Sequence, residues 1–142
     1  MRRWGPLVTA MITLASCHNA TKETECARFV ELVNGSLVEI NRHTRIQGLD
    51  GPRMVTEMTQ LASLYDKLAA DIGKLPLSTS ALSTRAEDYR RMAQSAASAA
   101  RHLATAVSEA DPKALSIADH EFKAVVEREA KLIEAIDAEC KR

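Results

Sequence analysis

Four segments of the chain repeat apolar residues every three or four positions, and this spacing constrains the fold more than any other feature. Such spacing places the apolar side chains on one face of an α-helix. The four faces are Cys26, Phe29, Val30, Val33, Leu37 and Ile40; Met54, Met58, Leu61, Tyr65, Leu68 and Ile72; Leu82, Tyr89, Met92, Ala93, Ala96, Ala100, Leu103 and Val107; and Leu115, Ala118, Phe122, Val125, Val126, Leu132, Ile133, Ile136 and Cys140. The pattern predicts an all-α domain.

Glycine and proline are few and fall mostly between these segments, where helices begin and end. Gly48 suits a left-handed cap at the end of a helix, and Pro52 suits the first turn of the next one. Asp111 and Pro112 likewise suit the cap and the first turn of a helix. The start of the third helix stays open, because residues 78–80 and residues 84–87 both offer caps.

Asn34-Gly35 is a second open point, because this pair also suits a tight hairpin turn. The residues around it do not alternate between apolar and polar, so no strand would have a polar face. We therefore expect one continuous helix. Four helices with short connections favour antiparallel neighbours, which predicts an up-down-up-down four-helix bundle over residues 24–142.

The amino terminus has a different pattern. Arg2 and Arg3 precede a short apolar run, from Leu7 to Ala15, which ends in small residues. This is the layout of an export signal, and the run is shorter than the ~20 residues that cross a bilayer. We expect residues 1–16 to be a cleaved signal peptide.

Leu14-Ala15-Ser16-Cys17 closes this run and resembles the lipobox of bacterial lipoproteins. The resemblance covers the signal region alone. It implies cleavage before Cys17, acylation of that residue and a polar tether over residues 17–23. Because residue 18 is His and not Asp, the resemblance also implies the outer membrane, with the domain on its inner leaflet facing the periplasm.

The two remaining cysteines, Cys26 and Cys140, lie on the apolar faces of the first and fourth helices. In the predicted bundle the first helix starts where the fourth ends, so these side chains can meet. A disulfide here would close a long loop and stabilise the fold by about 4–5 kcal/mol in the chain-entropy model. We predict that disulfide.

Composition and motifs restrict the function. The chain has 19 basic and 19 acidic residues and few aromatic ones, so neither a basic field nor a stacking platform for nucleic acid is expected. There is no Gly-x-Ser-x-Gly motif, no Gly-rich phosphate loop and no second histidine paired with His120 for a zinc-protease helix. We expect no catalytic residues and no cofactor.

Two charged groups remain, both near one end of the predicted bundle. Arg42, Arg45 and Arg53 form a local basic patch that an anionic partner, such as a glycolipid or an acidic protein face, could contact. His43, His102 and His120 are weak candidates for metal ligands, although none lies squarely on a core face. Solvated side chains are the simpler interpretation of both groups.

The sequence therefore predicts a lipid-anchored helical bundle, monomeric or weakly self-associating, with a binding or structural role. The alternative is a carrier of a small ligand or metal that uses the bundle interior or the histidines. The sequence does not identify the partner.

Overall fold

The structure, a computed structural model, describes residues 15–45 and 48–142, with side-chain environments from Thr21 onward. These residues contain four α-helices and no strand. The helices are α1 (Ala15–His43), α2 (Gly51–Gly73), α3 (Ser80–Ser108) and α4 (Pro112–Lys141). The all-α prediction is confirmed for this part of the chain.

Helix α1 runs without interruption through Asn34 and Gly35, so the helical interpretation of this pair is confirmed and the hairpin alternative is wrong. Because the helix begins at Ala15, the polar tether predicted over residues 17–23 lies within it. The ammonium group of Lys22 pairs with Glu139 of α4 and so connects this part of α1 to the bundle. Residues 1–14 of the predicted signal peptide lie outside the described residues.

The connection from α1 to α2 follows the predicted chemistry. Gly48 adopts a left-handed backbone with φ of 80°. The Asp50 side chain accepts a hydrogen bond from the backbone N–H of Arg53 at 3.0 Å, and Pro52 occupies the first turn of α2. Asp50 thus satisfies one of the free amide groups at the start of the helix.

Helix α3 starts at Ser80, so the first of the two candidate starts is the one used. Its cap residue, Thr79, makes no side-chain capping hydrogen bond. Helix α4 opens as predicted, with the Asp111 side chain accepting from the amides of Lys113 at 2.9 Å and Ala114 at 3.1 Å.

The core lies where the four apolar faces meet. Phe29 of α1, Tyr65 of α2 and Tyr89 of α3 are its largest buried side chains, and the rings of Phe29 and Tyr89 meet edge to face with centroids 6.2 Å apart. Helix α3 contributes mainly alanines to the core, and it packs extensively against both α2 and α4. Small side chains permit this close approach, because interaxial distance depends on the side chains at the contact.

Helix α4 is the main departure from the predicted core. Leu115, Val126 and Ile133 were placed in the core by their spacing, but between 37% and 42% of each is exposed. The inward face instead follows a heptad with Glu129 at its centre, and only 8% of Glu129 is exposed. Its other members are Ala118, Phe122, Val125, Leu132 and Ile136. The three exposed residues form a stripe along one edge of this face.

Two side-chain contacts join the ends of helices. The start of α1 meets the end of α4, where Lys22 Nζ lies 3.0 Å from Glu139 Oε1. The end of α1 meets the first turns of α2, where His43 Nδ1 lies 2.6 Å from Glu57 Oε2. Helix α1 packs much less closely on α4 than on α2. Within the described residues, no helix is both long and apolar enough to span a bilayer.

Candidate functional site

Cys26 and Cys140 meet where the start of α1 lies beside the end of α4. The structure pairs them as a disulfide, with Cα atoms 5.8 Å apart and a sequence separation of 114. That separation lies within the range that disulfides require. The proximity predicted from the sequence is therefore present. The side chain of Cys17, the predicted lipidation site, lies outside the described residues.

Glu25, next to Cys26, joins α1 to the start of α3. One carboxylate oxygen accepts from the backbone N–H of Ser78 at 2.7 Å and from its hydroxyl at 2.5 Å, and the other accepts from the N–H of Thr79 at 3.0 Å. These bonds, led by the Ser78 hydroxyl, lower the pKa of Glu25 to about 2. Glu25 thus ties α1 to Thr79, the cap residue of α3, and to the residue before it.

A second carboxylate, Glu129 of α4, lies inside the core and is held by two phenols. The Tyr89 hydroxyl donates to Glu129 Oε1 at 2.7 Å, and the Tyr65 hydroxyl donates to Oε2 at 3.3 Å. Burial raises the pKa of Glu129, although both hydrogen bonds act in the opposite direction. Burial, together with the nearby carboxylate, also raises the pKa of each tyrosine. No lysine, arginine or histidine among the described residues forms an ion pair with Glu129.

Sequence reasoning missed both carboxylates. The signal for Glu129 was present in its register, because residues 118, 122, 125, 132 and 136 place position 129 on the same heptad face. Glu25 had no comparable signal, since its partners are 53 and 54 residues away.

The candidate metal ligands do not converge. His43 pairs with Glu57 of α2, while His102 Nδ1 lies 3.1 Å from Glu121 Oε2 of α4. His120 is exposed on α4. In the part of the chain that the structure describes, no three histidine, cysteine or acidic side chains are arranged to hold a metal ion.

The predicted basic patch is largely neutralised by nearby carboxylates. Arg42 NH1 lies 2.9 Å from Glu39 Oε2, and Arg53 Nε lies 3.8 Å from Asp50 Oδ2. Arg45 is exposed. Both ion pairs are solvent-exposed and contribute little to stability, but the carboxylates lower the net positive charge that an anionic ligand would meet.

Two shallow clefts flank the turn between α3 and α4. One, of about 300 Å³, is lined by His102, Glu109 and Glu121 over a floor of small and apolar side chains. The other, of about 290 Å³, is lined mostly by apolar residues, including Met54, Val107 and Leu115. Both are open to solvent and small compared with typical ligand sites.

Comparison of the chain with protein-family models, with curated protein sequences and with solved structures gives no match.

Proposed function

We propose that this protein is an exported bacterial lipoprotein, cleaved before Cys17, acylated on that residue and held at the inner leaflet of the outer membrane. The observation that carries the proposal is the division of its three cysteines. Two of them, Cys26 and Cys140, pair within the fold, and the third closes a lipobox-like tetrapeptide. A structural disulfide persists in an oxidising compartment such as the periplasm.

We further propose an up-down-up-down antiparallel order for the four helices. Three contacts support it: Cys26 with Cys140, Glu25 with the connection before α3, and His43 with Glu57 near the start of α2. In this order the disulfide lies at the same end of the bundle as Cys17. The connections from α1 to α2 and from α3 to α4 then project into the periplasm.

In this proposal the domain acts by binding another envelope protein and not by catalysis. The support is the stripe on α4 formed by Leu115, Val126 and Ile133, each more than one third exposed. Apolar side chains that share one helix edge can be buried together by a partner protein. The neutralised arginine patch makes an anionic glycolipid the weaker candidate.

A carrier of a small ligand remains the second candidate, and it rests on the cleft beside His102 and Glu121. A metal carrier has less support, because the histidines pair separately with glutamates. Metal analysis of protein purified without chelators distinguishes the metal carrier from the protein-binding role. Stoichiometric metal in the wild-type protein that is absent from the His43→Ala variant and from the His102→Ala variant would favour the metal carrier over the protein-binding role.

The anchor is tested by growing cells with a radioactive or clickable fatty acid and comparing the full chain with its Cys17→Ser variant. We expect label on the full chain in the membrane fraction. We expect Cys17→Ser to carry no label and to lose the anchor. The variant Cys26→Ser/Cys140→Ser is the matched control, and it should still be labelled. Equal labelling of all three proteins, or of none, would contradict the proposal.

The protein-binding role is tested by photo-crosslinking in intact cells. A photoreactive residue at Val126 samples the stripe, and one at Ser98, which is exposed on α3, samples a polar surface. We expect a discrete crosslinked protein from Val126 and none from Ser98. Equal products from both positions, or none from Val126, would contradict a binding role for this stripe.

A further inference from the structure

Glu129 is a carboxylic acid placed where a helical core ordinarily holds an apolar side chain. It occupies the central position of the inward heptad of α4 and is only 8% exposed. A buried polar group costs stability unless it is hydrogen-bonded, and a buried charge costs more unless it is paired. The groups around this carboxyl therefore determine whether its neutral or its ionised form is favoured.

The groups that face Glu129 are neutral. Helix α2 contributes the Tyr65 hydroxyl and α3 contributes the Tyr89 hydroxyl, while the α1 residue packed against Tyr89 is the apolar Phe29. On α4 itself, the neighbours one turn away are Val125 and Ile133. No cation among the described residues compensates a charge on this carboxylate, so its ionised form carries a cost that its neutral form does not.

The two hydrogen bonds accommodate both forms. When the carboxylate is ionised, each phenol donates to one oxygen. When Oε2 is protonated, Oε1 still accepts from Tyr89 at 2.7 Å, and the new O–H can donate to the Tyr65 oxygen, 3.3 Å away. A proton can therefore be added without removing either contact between α4 and its neighbours.

We propose that Glu129 is a proton-operated latch for α4. Protonated, it holds α4 against Tyr65 of α2 and Tyr89 of α3; ionised, it weakens that attachment and lets α4 open more often. In the proposed periplasmic compartment, a change in the external pH would act on Glu129, because small solutes reach an envelope protein from outside the cell. The proposed latch depends only on the geometry of the core, so its test is independent of the test of the lipid anchor.

The sign of the effect follows from linkage. Burial raises the pKa of Glu129, so the folded chain binds a proton that the unfolded chain releases. Its stabilising effect is complete below the ordinary glutamate pKa of the unfolded chain and is lost as pH rises through the higher folded value. Over this interval the opening constant of α4 should change by up to about tenfold per pH unit.

The other perturbed carboxylates do not produce this signal. Hydrogen bonds lower the pKa of Glu25 and of Glu87 to about 2, so both remain ionised across the interval. The pKa values of Asp71 and Glu139 are lowered as well, by their hydrogen bonds with Lys67 and Lys22 respectively. Comparison with a Glu129 variant separates the contribution of this residue from that of every other group.

The test is hydrogen exchange of the full chain between pH 8 and pH 4.5, read by mass spectrometry and corrected for intrinsic exchange rates. We expect the amides of α4 to become more protected as the pH falls. Glu129→Gln, a permanently neutral side chain of the same shape, should show high protection at all pH values. Glu134→Gln is the matched control on the same helix, and it should keep the wild-type profile. Identical profiles for Glu129→Gln and wild type would overturn the proposal.

A second measurement covers the case in which Glu129→Gln does not fold. Carbon-13 labelling of glutamate side chains allows each carboxyl group of the wild-type chain to be titrated by NMR. We expect one carboxyl to titrate clearly above the ordinary range for glutamate, and the Tyr65 and Tyr89 ring signals to shift with it. If every glutamate titrates at or below the ordinary value, the latch is excluded.

Discussion

At the scale of single residues, the polar centre of the core explains more of this fold than any surface charge. A hydrogen bond to a charged group contributes about 1.5–3 kcal/mol, whereas an exposed ion pair contributes little. Tyr89 and Tyr65 both donate to Glu129, but the first bond is shorter, 2.7 Å against 3.3 Å. The two tyrosines therefore make a matched pair for measuring what the carboxylate requires.

We expect Tyr89→Phe to lower the free energy of unfolding by about 2 kcal/mol at pH 7, since it removes the shorter donor to a buried carboxylate. Tyr65→Phe should cost less. Both variants keep the buried ring, so lost packing does not explain the difference. Urea denaturation followed by circular dichroism measures it. A larger loss for Tyr65→Phe would contradict the hydrogen-bond assignment.

Glu129 also shows the limit of apolar periodicity as a predictor. On α4 the pattern placed Val126 and Ile133 in the core, because every apolar residue near the helix face was given a place in it. The structure gives the central position to a glutamate and leaves these two at the edge. An acidic side chain can take a core position only when partners from other helices satisfy it, and those partners are not visible along one helix.

At the scale of elements, the turn between α3 and α4 carries a conformational cost. Ala110 has a left-handed backbone with φ of 52°, while its N–H donates to the carbonyl of Val107 and the N–H of Asp111 donates to that of Ala106. This is the Schellman arrangement, in which glycine is the usual residue. The absence of glycine hid this cap from sequence reasoning, although Asp111-Pro112 revealed the next helix start.

We expect Ala110→Gly to raise the free energy of unfolding by about 1 kcal/mol, because a left-handed backbone penalises a side chain. Ala130→Gly is the control, since Ala130 is exposed within α4, and it should lower that free energy by about the same amount. Urea denaturation of the two variants gives both signs in one experiment. Destabilisation by Ala110→Gly would contradict the left-handed conformation.

The hydrogen bonds of Glu25 to Ser78 and Thr79 predict that the stability of the fold depends on pH. The lowered pKa of Glu25, about 2, means that it stabilises the fold above the ordinary glutamate pKa, and this contribution is lost as pH falls from about 4.5 toward 2. We expect Glu25→Gln to reduce the loss of stability over this range. Glu87→Gln should remove a different part of the acid-induced loss of stability, because Glu87 pairs with Arg90 and Arg91. An unchanged acid profile for Glu25→Gln would contradict this role of Glu25.

At the scale of the whole molecule, the disulfide ties together two helices that otherwise have little contact. Helix α1 packs mainly on α2, and its contacts with α4 include the Cys26–Cys140 pair and the Lys22–Glu139 ion pair. The order of helices and the cysteine positions were sufficient to predict this pairing. The polar composition of residues 17–23 suits both a tether and a helix, so composition alone does not locate the start of α1.

We expect Cys26→Ser/Cys140→Ser to lower the free energy of unfolding by at most about 4–5 kcal/mol, since the loop closed by the bridge is long. Thermal unfolding with and without a thiol reductant checks this. Reduced wild type should unfold with the double variant, and the double variant should not respond to reductant. Equal stability of oxidised and reduced wild type would contradict the role of the bridge.

In the proposed arrangement, the fold is lipid-anchored at one end and closed by a disulfide at that same end. Intact mass spectrometry of the full chain, extracted in mild detergent from a bacterial envelope without reductant, tests both parts at once. We expect a chain that begins at Cys17, carries acyl groups and lacks two hydrogens. A chain that keeps residues 1–16, is cut elsewhere without acylation, or has free thiols at Cys26 and Cys140 would contradict it.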